Sequence, residues 1–392
     1  HYLSILKMDT RSIKGSIMGS KKKVLVYLWS FSLGGGAEKI LSTIVNHLDL
    51  EKYDVDILEI EHFDKGYEPV PEGVRILKPY KAKKHSRLVE ALQWRARIWF
   101  PDLVRNHLIK DEYDIEISFT IMNPAFPFSK RPEVKKIAWI HGSIEEFLKP
   151  ENAAYRENHR QHLKTANNIV AISKKTRESI ETVYPEFKEK IVTIYNGYNF
   201  DEIIQKSNEP YEAIVEEDSI AVIGRLEAKK GTDRALEVFH QLLDVRPTAH
   251  IYFIGSGDQE AHLKERTAEL GLEDRVHFLG YQKNPYPVLK RAKVLLSMSQ
   301  QEGFSGAFVE ALTLGKSFVS TDVGGAEELS GNGQFGTIIQ TNEEAVAALN
   351  ERMNASVDTE AIDAYIERFT VEEQMKQILE ILEREENEKI DN

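Results

Sequence analysis

The strongest constraint on the fold of this chain is a repeated rhythm: an apolar run of strand length, a turn, then a stretch with helical spacing. "KVLVYLW" (23–29) leads through a glycine loop into "AEKILSTIVNHL" (37–48), whose apolar residues recur at helical intervals. The same order continues through "YDVDILEI" (53–60), "YDIEISF" (113–119), "KKIAWI" (135–140), "NIVAIS" (168–173) and "IVTIYN" (191–196). It resumes with "SIAVIGRL" (219–226), "HIYFIG" (250–255), "RVHFLG" (275–280), "KVLLSMS" (293–299) and "SFVSTD" (317–322). Near-continuous apolar runs belong to strands covered on both faces, and the intervening helices supply the crossovers that parallel strands need. The expected class is α/β, with two parallel sheets clad in helices and no short-period repeat.

At 392 residues the chain is long enough for two domains with separate cores. Hydrophobic content of 41% and charged content of 29% fit a folded rather than a disordered protein. No segment approaches the about 20 apolar residues of a membrane-spanning helix. Residues 1–22 lack a signal-peptide pattern and are expected to be a tag or disordered extension, with Met18 as a candidate native start. The polar stretch 201–217 is expected to link a domain at 23–200 to one at 218–370, and 371–392 reads as a final helix capped by Thr370. The absence of cysteine excludes disulfides, thiolate nucleophiles and cysteine-ligated zinc, and it fits a cytoplasmic protein. A net charge of −12 argues against general nucleic-acid binding.

Ligands of parallel α/β domains bind at the carboxyl ends of the strands, and the candidate residues fall at such ends. In "FSLGGGAEKI" (31–40), glycines precede a helix and offer bare backbone to a phosphate or a sugar oxygen, although a tight turn alone would read the same way. The spacing is not that of a nicotinamide-binding loop. In "GRLEAKKG" (224–231), Arg225 and Lys230 provide two cations suited to a diphosphate, or else an ordinary solvated loop. In "QEGFSGAFVEAL" (301–312), Glu302 and Glu310 stand eight positions apart around Gly303, Phe304, Ser305 and Gly306. Taken as helix positions they lie about 12 Å apart along the axis and can border one elongated ligand. Carboxylates beside an anion-binding helix start are costly unless they bind hydroxyls, which favours a ligand with diols at both ends and phosphate between. His141, in "AWIHGS", follows a strand where a ligand would sit, although a lone histidine is more often structural.

At these residues the sequence resembles the retaining family-4 glycosyltransferases of the GT-B fold. The resemblance runs from about Lys23 over nearly the whole chain, through "GGGAE", "HGS", "AIS", "YNGYN", "GRLEAKKG", "GSGD", "FLGY" and "EGFSGAFVEAL" in that order. It implies two facing Rossmann-like parallel-sheet domains with the ligand cleft between them. Residues 23–200 would be the acceptor side, 218–370 the nucleotide-sugar side, and 371–392 a helix crossing back to the first domain. Arg225 and Lys230 would hold the donor diphosphate, Glu310 the ribose, and Glu302 the sugar hydroxyls. The backbone of Gly303, Phe304, Ser305 and Gly306 would assist, His141 would contact the sugar, and Gly35 and Gly36 would approach the diphosphate or acceptor. Many relatives carry glycine where this chain has Ser305, a difference that bears on the donor sugar.

The resemblance further implies retaining transfer of a hexosyl or N-acetylhexosaminyl unit from a nucleotide-diphosphate sugar, UDP by default. The acceptor would be a glycan or lipid-linked glycan of bacterial surface polysaccharide or glycoconjugate synthesis. Arg225, Lys230, Glu302 and His141 would carry catalysis, with the nucleotide sugar as co-substrate, no other cofactor and no required metal. "DVD" (54–56) has the look of metal-binding carboxylates but lies in a strand-like run and reads better as an ordinary edge strand. Two rivals are a sugar-nucleotide epimerase and a non-catalytic partner subunit; the retained charges favour an active enzyme. Residues 81–110 gather Lys81, Lys83, Lys84, Arg87, Arg95, Arg97, Arg105 and Lys110 with Trp94, Trp99 and Phe100. That segment is either a solvated helical face or a surface for an anionic membrane or a lipid-diphosphate acceptor at the inner face of the plasma membrane.

Overall fold

The computed structural model describes residues 20–83, 86–148 and 153–384, with the side chain of Glu146 excepted. The expected extension, Met18, Lys84 and the end of the last helix beyond 384 lie mainly or wholly outside these residues. By internal contacts the chain divides into two compact units, one ending at Ile137 and one beginning at Ala138.

Among the described residues thirteen strands form two sheets: β1 Lys22–Leu28, β2 Tyr53–Glu59, β3 Arg75–Ile76, β4 Ile115–Ser118, β5 Lys135–Ile140, β6 Asn168–Ala171, β7 Ile191–Thr193, β8 Ser219–Ile223, β9 His250–Ile254, β10 Val276–Phe278, β11 Val294–Ser297, β12 Ser317–Thr321 and β13 Gly336–Ile339. The first sheet has seven strands in the order β3-β2-β1-β4-β5-β6-β7 and the second six in the order β10-β9-β8-β11-β12-β13. In the first, β1 pairs in parallel with β2 and β4, β2 with β3, and β6 with β7. Every pairing in the second is parallel. Both sheets are Rossmann-like, as the alternation of apolar runs and helical patterns predicts.

Central strands are apolar on both faces because helices cover both. Val24, Leu25, Val26, Tyr27 and Leu28 of β1 are all buried. The second sheet is sealed by helix Thr232–Leu242, which buries Ala235, Leu236, Val238, Phe239 and Leu242, and by helix Asn342–Asn354, which buries Ala345, Ala348, Leu349 and Met353. β2 lies between β3 and β1 rather than at an edge. Asp56 of the "DVD" run takes two hydrogen bonds from Arg75, at 2.9 and 2.6 Å, and one from the Tyr113 hydroxyl at 2.5 Å. Its carboxylate is therefore committed to packing.

Within 201–217 the chain is not uniformly extended. Helix Phe200–Ser207 starts on Asn199, whose side chain accepts the Glu202 N–H. The final helix, Val371–Glu383, starts on Thr370, which accepts the Glu373 N–H. Its first residues pack against the Gly197 turn so closely that a Cβ on Gly197 would stand 2.7 Å from the Val371 Cα.

Candidate active site

The loop after β8 begins at Gly224 and carries Arg225, whose guanidinium is 65% exposed and pairs with Glu227 at 2.5 Å. A short turn, Ala228–Lys230, then ends on Gly231 at φ +65. A side chain there would meet the Met298 carbonyl at 1.9 Å, so only glycine allows this close crossing. The crossing joins two strand-end loops: Gln300 donates its N–H to the Lys229 carbonyl at 2.9 Å. It also places the Lys230 ammonium 2.6 Å from Glu302 Oε1, with both side chains largely withdrawn from solvent.

Glu302 does not belong to the helix that carries Glu310. The helix is Gly306–Thr313, and Glu302 sits in the turn before it, so the helical spacing expected between the two glutamates does not apply. Glu310 lies just past the first turn and accepts a hydrogen bond from the Tyr286 hydroxyl at 3.2 Å. Burial and the nearby Glu310 carboxylate raise the Tyr286 pKa, keeping the phenol protonated as a donor.

The intervening residues have distinct duties. A Cβ on Gly303 would stand 2.0 Å from the His141 carbonyl oxygen, so this glycine is what lets the turn reach the loop after β5. Gly324, after β12, donates its N–H to the Glu302 carbonyl at 3.2 Å. Phe304 points its ring into an aromatic cluster with Tyr195, Tyr198 and Phe369, at centroid distances of 5.8, 6.4 and 5.7 Å. Ser305 precedes the helix and is buried, but its hydroxyl makes no cap bond. Gly306 lies under Tyr198, whose hydroxyl would be 3.3 Å from a Cβ there.

Residues expected to share a site thus do meet: the Lys230 side chain with Glu302, and the Gly303 backbone with His141. Arg225 flanks the same loop, facing Glu227. Gly35 and Gly36 begin helix Gly36–His47 in the first unit. There the buried Glu38 carboxylate lies close over Gly35, where a Cβ would stand 2.6 Å from its Oε2, and burial raises its pKa.

Three features escaped the sequence reading. Tyr286 lies in an ordinary helix pattern that nothing links to Glu310. Glu328 accepts the Lys174 N–H at 2.5 Å, at the start of helix Lys174–Val183, while Lys174 Nζ reaches Glu327 at 2.9 Å. Glu59, a carboxylate at the end of an apolar strand run, is fully buried and gathers the β1 loop around itself. A charge in such a run was the available signal.

A cation pair, a carboxylate between strand-end loops and a helix start with a glycine-rich approach are the kinds of groups that suit an anionic, hydroxyl-rich ligand. Residues 34–202 match the Glycosyltransferase Family 4 model and residues 203–370 the Glycosyl transferases group 1 model. The chain is 28% identical over 257 residues to an uncharacterised glycosyltransferase of Methanocaldococcus jannaschii, covering 63% of this chain and 61% of that protein. It is 26% identical over 336 residues to the N-acetylgalactosamine-N,N'-diacetylbacillosaminyl-diphospho-undecaprenol 4-alpha-N-acetylgalactosaminyltransferase of Campylobacter jejuni, covering 81% of this chain and 86% of that enzyme. Among solved structures, the lipopolysaccharide outer core galactosyltransferase WaaB matches with a TM-score of 0.70 at 18% identity, covering 92% of this chain and 99% of that one. The Anabaena protein HepE in complex with UDP matches with a TM-score of 0.65 at 18% identity, over 92% and 99%. With consecutive family matches from residue 34 to 370 on two Rossmann-like sheets, the chain belongs to the family 4 and group 1 glycosyltransferases of GT-B fold.

Proposed function

We propose that this glycosyltransferase moves a hexosyl or N-acetylhexosaminyl unit from a UDP-sugar to a glycan or lipid-linked glycan, with retention at the anomeric carbon and without a metal. The observation that carries this reading is the 2.6 Å Lys230–Glu302 pair, which ties a cationic loop to a carboxylate beside a helix start. The Campylobacter relative is named for a diphospho-undecaprenol acceptor, and HepE was crystallised with UDP and with UDP-glucose. The second supports a nucleotide-sugar donor and the first a lipid-linked acceptor for this chain.

On donor binding Lys230 exchanges Glu302 for the diphosphate, and the released Glu302 accepts hydrogen bonds from sugar hydroxyls. Arg225 turns from Glu227 to the same diphosphate. As the bond from the anomeric carbon to the phosphate oxygen breaks, its electron pair passes to the diphosphate. Arg225, Lys230 and the N–H groups opening Gly306–Thr313 stabilise that charge. The acceptor oxygen bonds to the anomeric carbon on the face the phosphate leaves, and its proton goes to the departing phosphate oxygen. Glu310, steadied by Tyr286, holds the ribose hydroxyls.

The test is a screen of UDP-, GDP- and ADP-sugars by calorimetry and nucleotide release, with and without chelator, followed by the anomeric configuration of the product. One donor bound and hydrolysed at a chelator-independent rate, with a retained product, is expected. Binding without release in the presence of varied acceptors leaves a non-catalytic partner; release only with metal removes the metal-free mechanism; isomerisation without acceptor makes it an epimerase.

A second observation favours work at a membrane surface. Among the described residues no helix is long and apolar enough to cross a bilayer. Helix Arg87–Trp99, however, turns its apolar side outward: Leu88, Leu92 and Trp99 are 70, 55 and 65% exposed, whereas Arg97 is only 7% exposed. Lys83, Arg87 and Arg95 are exposed in the same segment. Apolar insertion flanked by cations fits an anionic bilayer, where a lipid-linked acceptor resides.

A further inference from the structure

The most heavily bonded carboxylate of the first unit plays no part in the donor chemistry. Glu59 ends β2, is fully buried and has every bond of its carboxylate on the loops at the carboxyl ends of β1 and β2. Its Oε2 accepts from the Phe31 N–H at 2.9 Å, the Ser32 hydroxyl at 2.8 Å and the Ser30 hydroxyl at 3.4 Å. Its Oε1 meets His62 Nδ1 at 2.6 Å and accepts from the Tyr67 hydroxyl at 2.8 Å. Ser32 Oγ in turn accepts the Phe63 N–H at 2.7 Å. Burying a carboxylate is costly unless it is this well satisfied. Burial pushes the Glu59 pKa up, but donors from Phe31, His62, Tyr67 and Ser32 outweigh it and hold the group ionised.

The product of this knot is an aromatic ring fixed in place. Tyr67 is pinned at its hydroxyl by Glu59 and stacked by its ring on buried Phe31, with centroids 5.9 Å apart and planes 24° apart. Yet 41% of Tyr67 remains exposed. At its rim His62 packs 5.4 Å away, with Nε2 3.4 Å from the fully exposed Asp64. A pyranose has an apolar C–H face and a rim of hydroxyls. A rigid aromatic face edged by an imidazole and a carboxylate complements both, and rigidity lowers the entropic cost of binding.

We propose that the outward face of Tyr67, edged by His62 and Asp64, is a sugar platform that receives a pyranose ring of the acceptor glycan. The assignment rests on the transferase reading above. Glu59 supports the platform chiefly through the Ser30–Phe31–Ser32 backbone, which holds the Phe31 ring on which Tyr67 stacks.

The experiment is saturation-transfer NMR on the full chain with the methyl glycosides of glucose, galactose, N-acetylglucosamine and N-acetylgalactosamine. Transfer to the C–H protons of at least one glycoside is expected. Tyr67→Leu should abolish it, Tyr67→Phe should keep most of it, and neither should alter UDP binding by calorimetry. Equal transfer in Tyr67→Leu, or no transfer to any glycoside, overturns the platform. So does a Tyr67-dependent signal from UDP alone, since a base rather than a sugar then stacks there. Loss of transfer in Tyr67→Phe as well as Tyr67→Leu, with thermal unfolding lowered in both, assigns the knot to loop structure only. Donor hydrolysis by the unaltered chain is read separately: hydrolysis without a Tyr67-dependent sugar signal sinks the platform alone, and the converse sinks the transferase reading alone.

Discussion

Lys230 and Glu302 illustrate how one contact sets two properties with opposite signs. The lysine is neutralised by the glutamate at 2.6 Å, so any diphosphate must compete with a carboxylate already in place. Lys230→Gln should lower donor kcat/KM about 100-fold or more, about 3 kcal/mol of transition-state stabilisation. Glu302→Gln should also slow transfer, since it loses a charged acceptor for sugar hydroxyls. It should nevertheless bind free UDP a few-fold more tightly, by the about 0.5–1 kcal/mol that a partly solvated ion pair is worth. Calorimetry with UDP decides it: weaker binding by Glu302→Gln would show that the pair supports the phosphate site rather than competing with it. Each partner was legible in the sequence from its place at a strand end, but their pairing was not, because it depends on Gly231 passing under Met298. Tyr286 left no trace at all, since its link to Glu310 exists only once two helices are packed.

The inverted helix Arg87–Trp99 owes its orientation to one buried cation. Arg97 donates to the Pro124 carbonyl at 2.6 Å and lies 5.8 Å over the Trp29 ring. Burial lowers its pKa to about 10, still fully charged at neutral pH. Leu88, Leu92, Arg95 and Trp99 share the opposite face by helical spacing. Arg97, expected from sequence to join a basic docking surface, is therefore an anchor of the helix. Leu88→Asp with Leu92→Asp should abolish co-sedimentation with phosphatidylglycerol vesicles and leave thermal stability nearly unchanged, because both side chains already face water. Arg97→Ala should instead cost about 1–3 kcal/mol of stability, by stranding the Pro124 carbonyl. Vesicle binding that survives the two aspartates, or that never occurs, would dismiss the membrane surface. The same logic of faces explains which strands could be read. Interior strands such as β1 and β9 are buried on both sides and spell unbroken apolar words. Two-residue β3 is half exposed, and β13 opens on a glycine with two partly exposed residues at its centre, so neither rises above a loop in the sequence. Helix Phe200–Ser207 hid in the expected linker because only Ile203 and Ser207 are buried.

Acid sensitivity should be distributed unevenly over the molecule. His159 and His162, on helix Ala153–Thr165, are buried; burial lowers their pKa values to about 4 and about 3, with His159 further lowering His162. Tyr184 packs 5.8 Å from His159, and Arg160 of the same helix pairs with Glu186 at the solvent-exposed surface. Burial also lowers His250 and His277, stacked 5.3 Å apart across β9 and β10. All four lie in the unit that begins at Ala138. A folded value below the ordinary about 6.5 means the unfolded chain binds more protons, so stability is intact above that pH and falls as pH drops toward the folded value. At pH 5 the deficit for His159 and His162 is roughly 2 kcal/mol each, large against a typical stability of 5–15 kcal/mol. Glu38 and Glu328, whose values burial raises, act in the opposite sense, so the histidine contribution is read from the double variant rather than from the wild-type slope alone. Hydrogen exchange followed by peptide mass spectrometry, corrected for intrinsic rates, should show protection at pH 5 falling in residues 138–384 before it falls in 20–137. His159→Gln with His162→Gln should shallow that pH dependence, even if the variant starts from a lower stability at pH 7.5. Uniform loss across both units, or an unchanged slope in the double variant, would mean that carboxylate pairs rather than buried imidazoles set the acid limit.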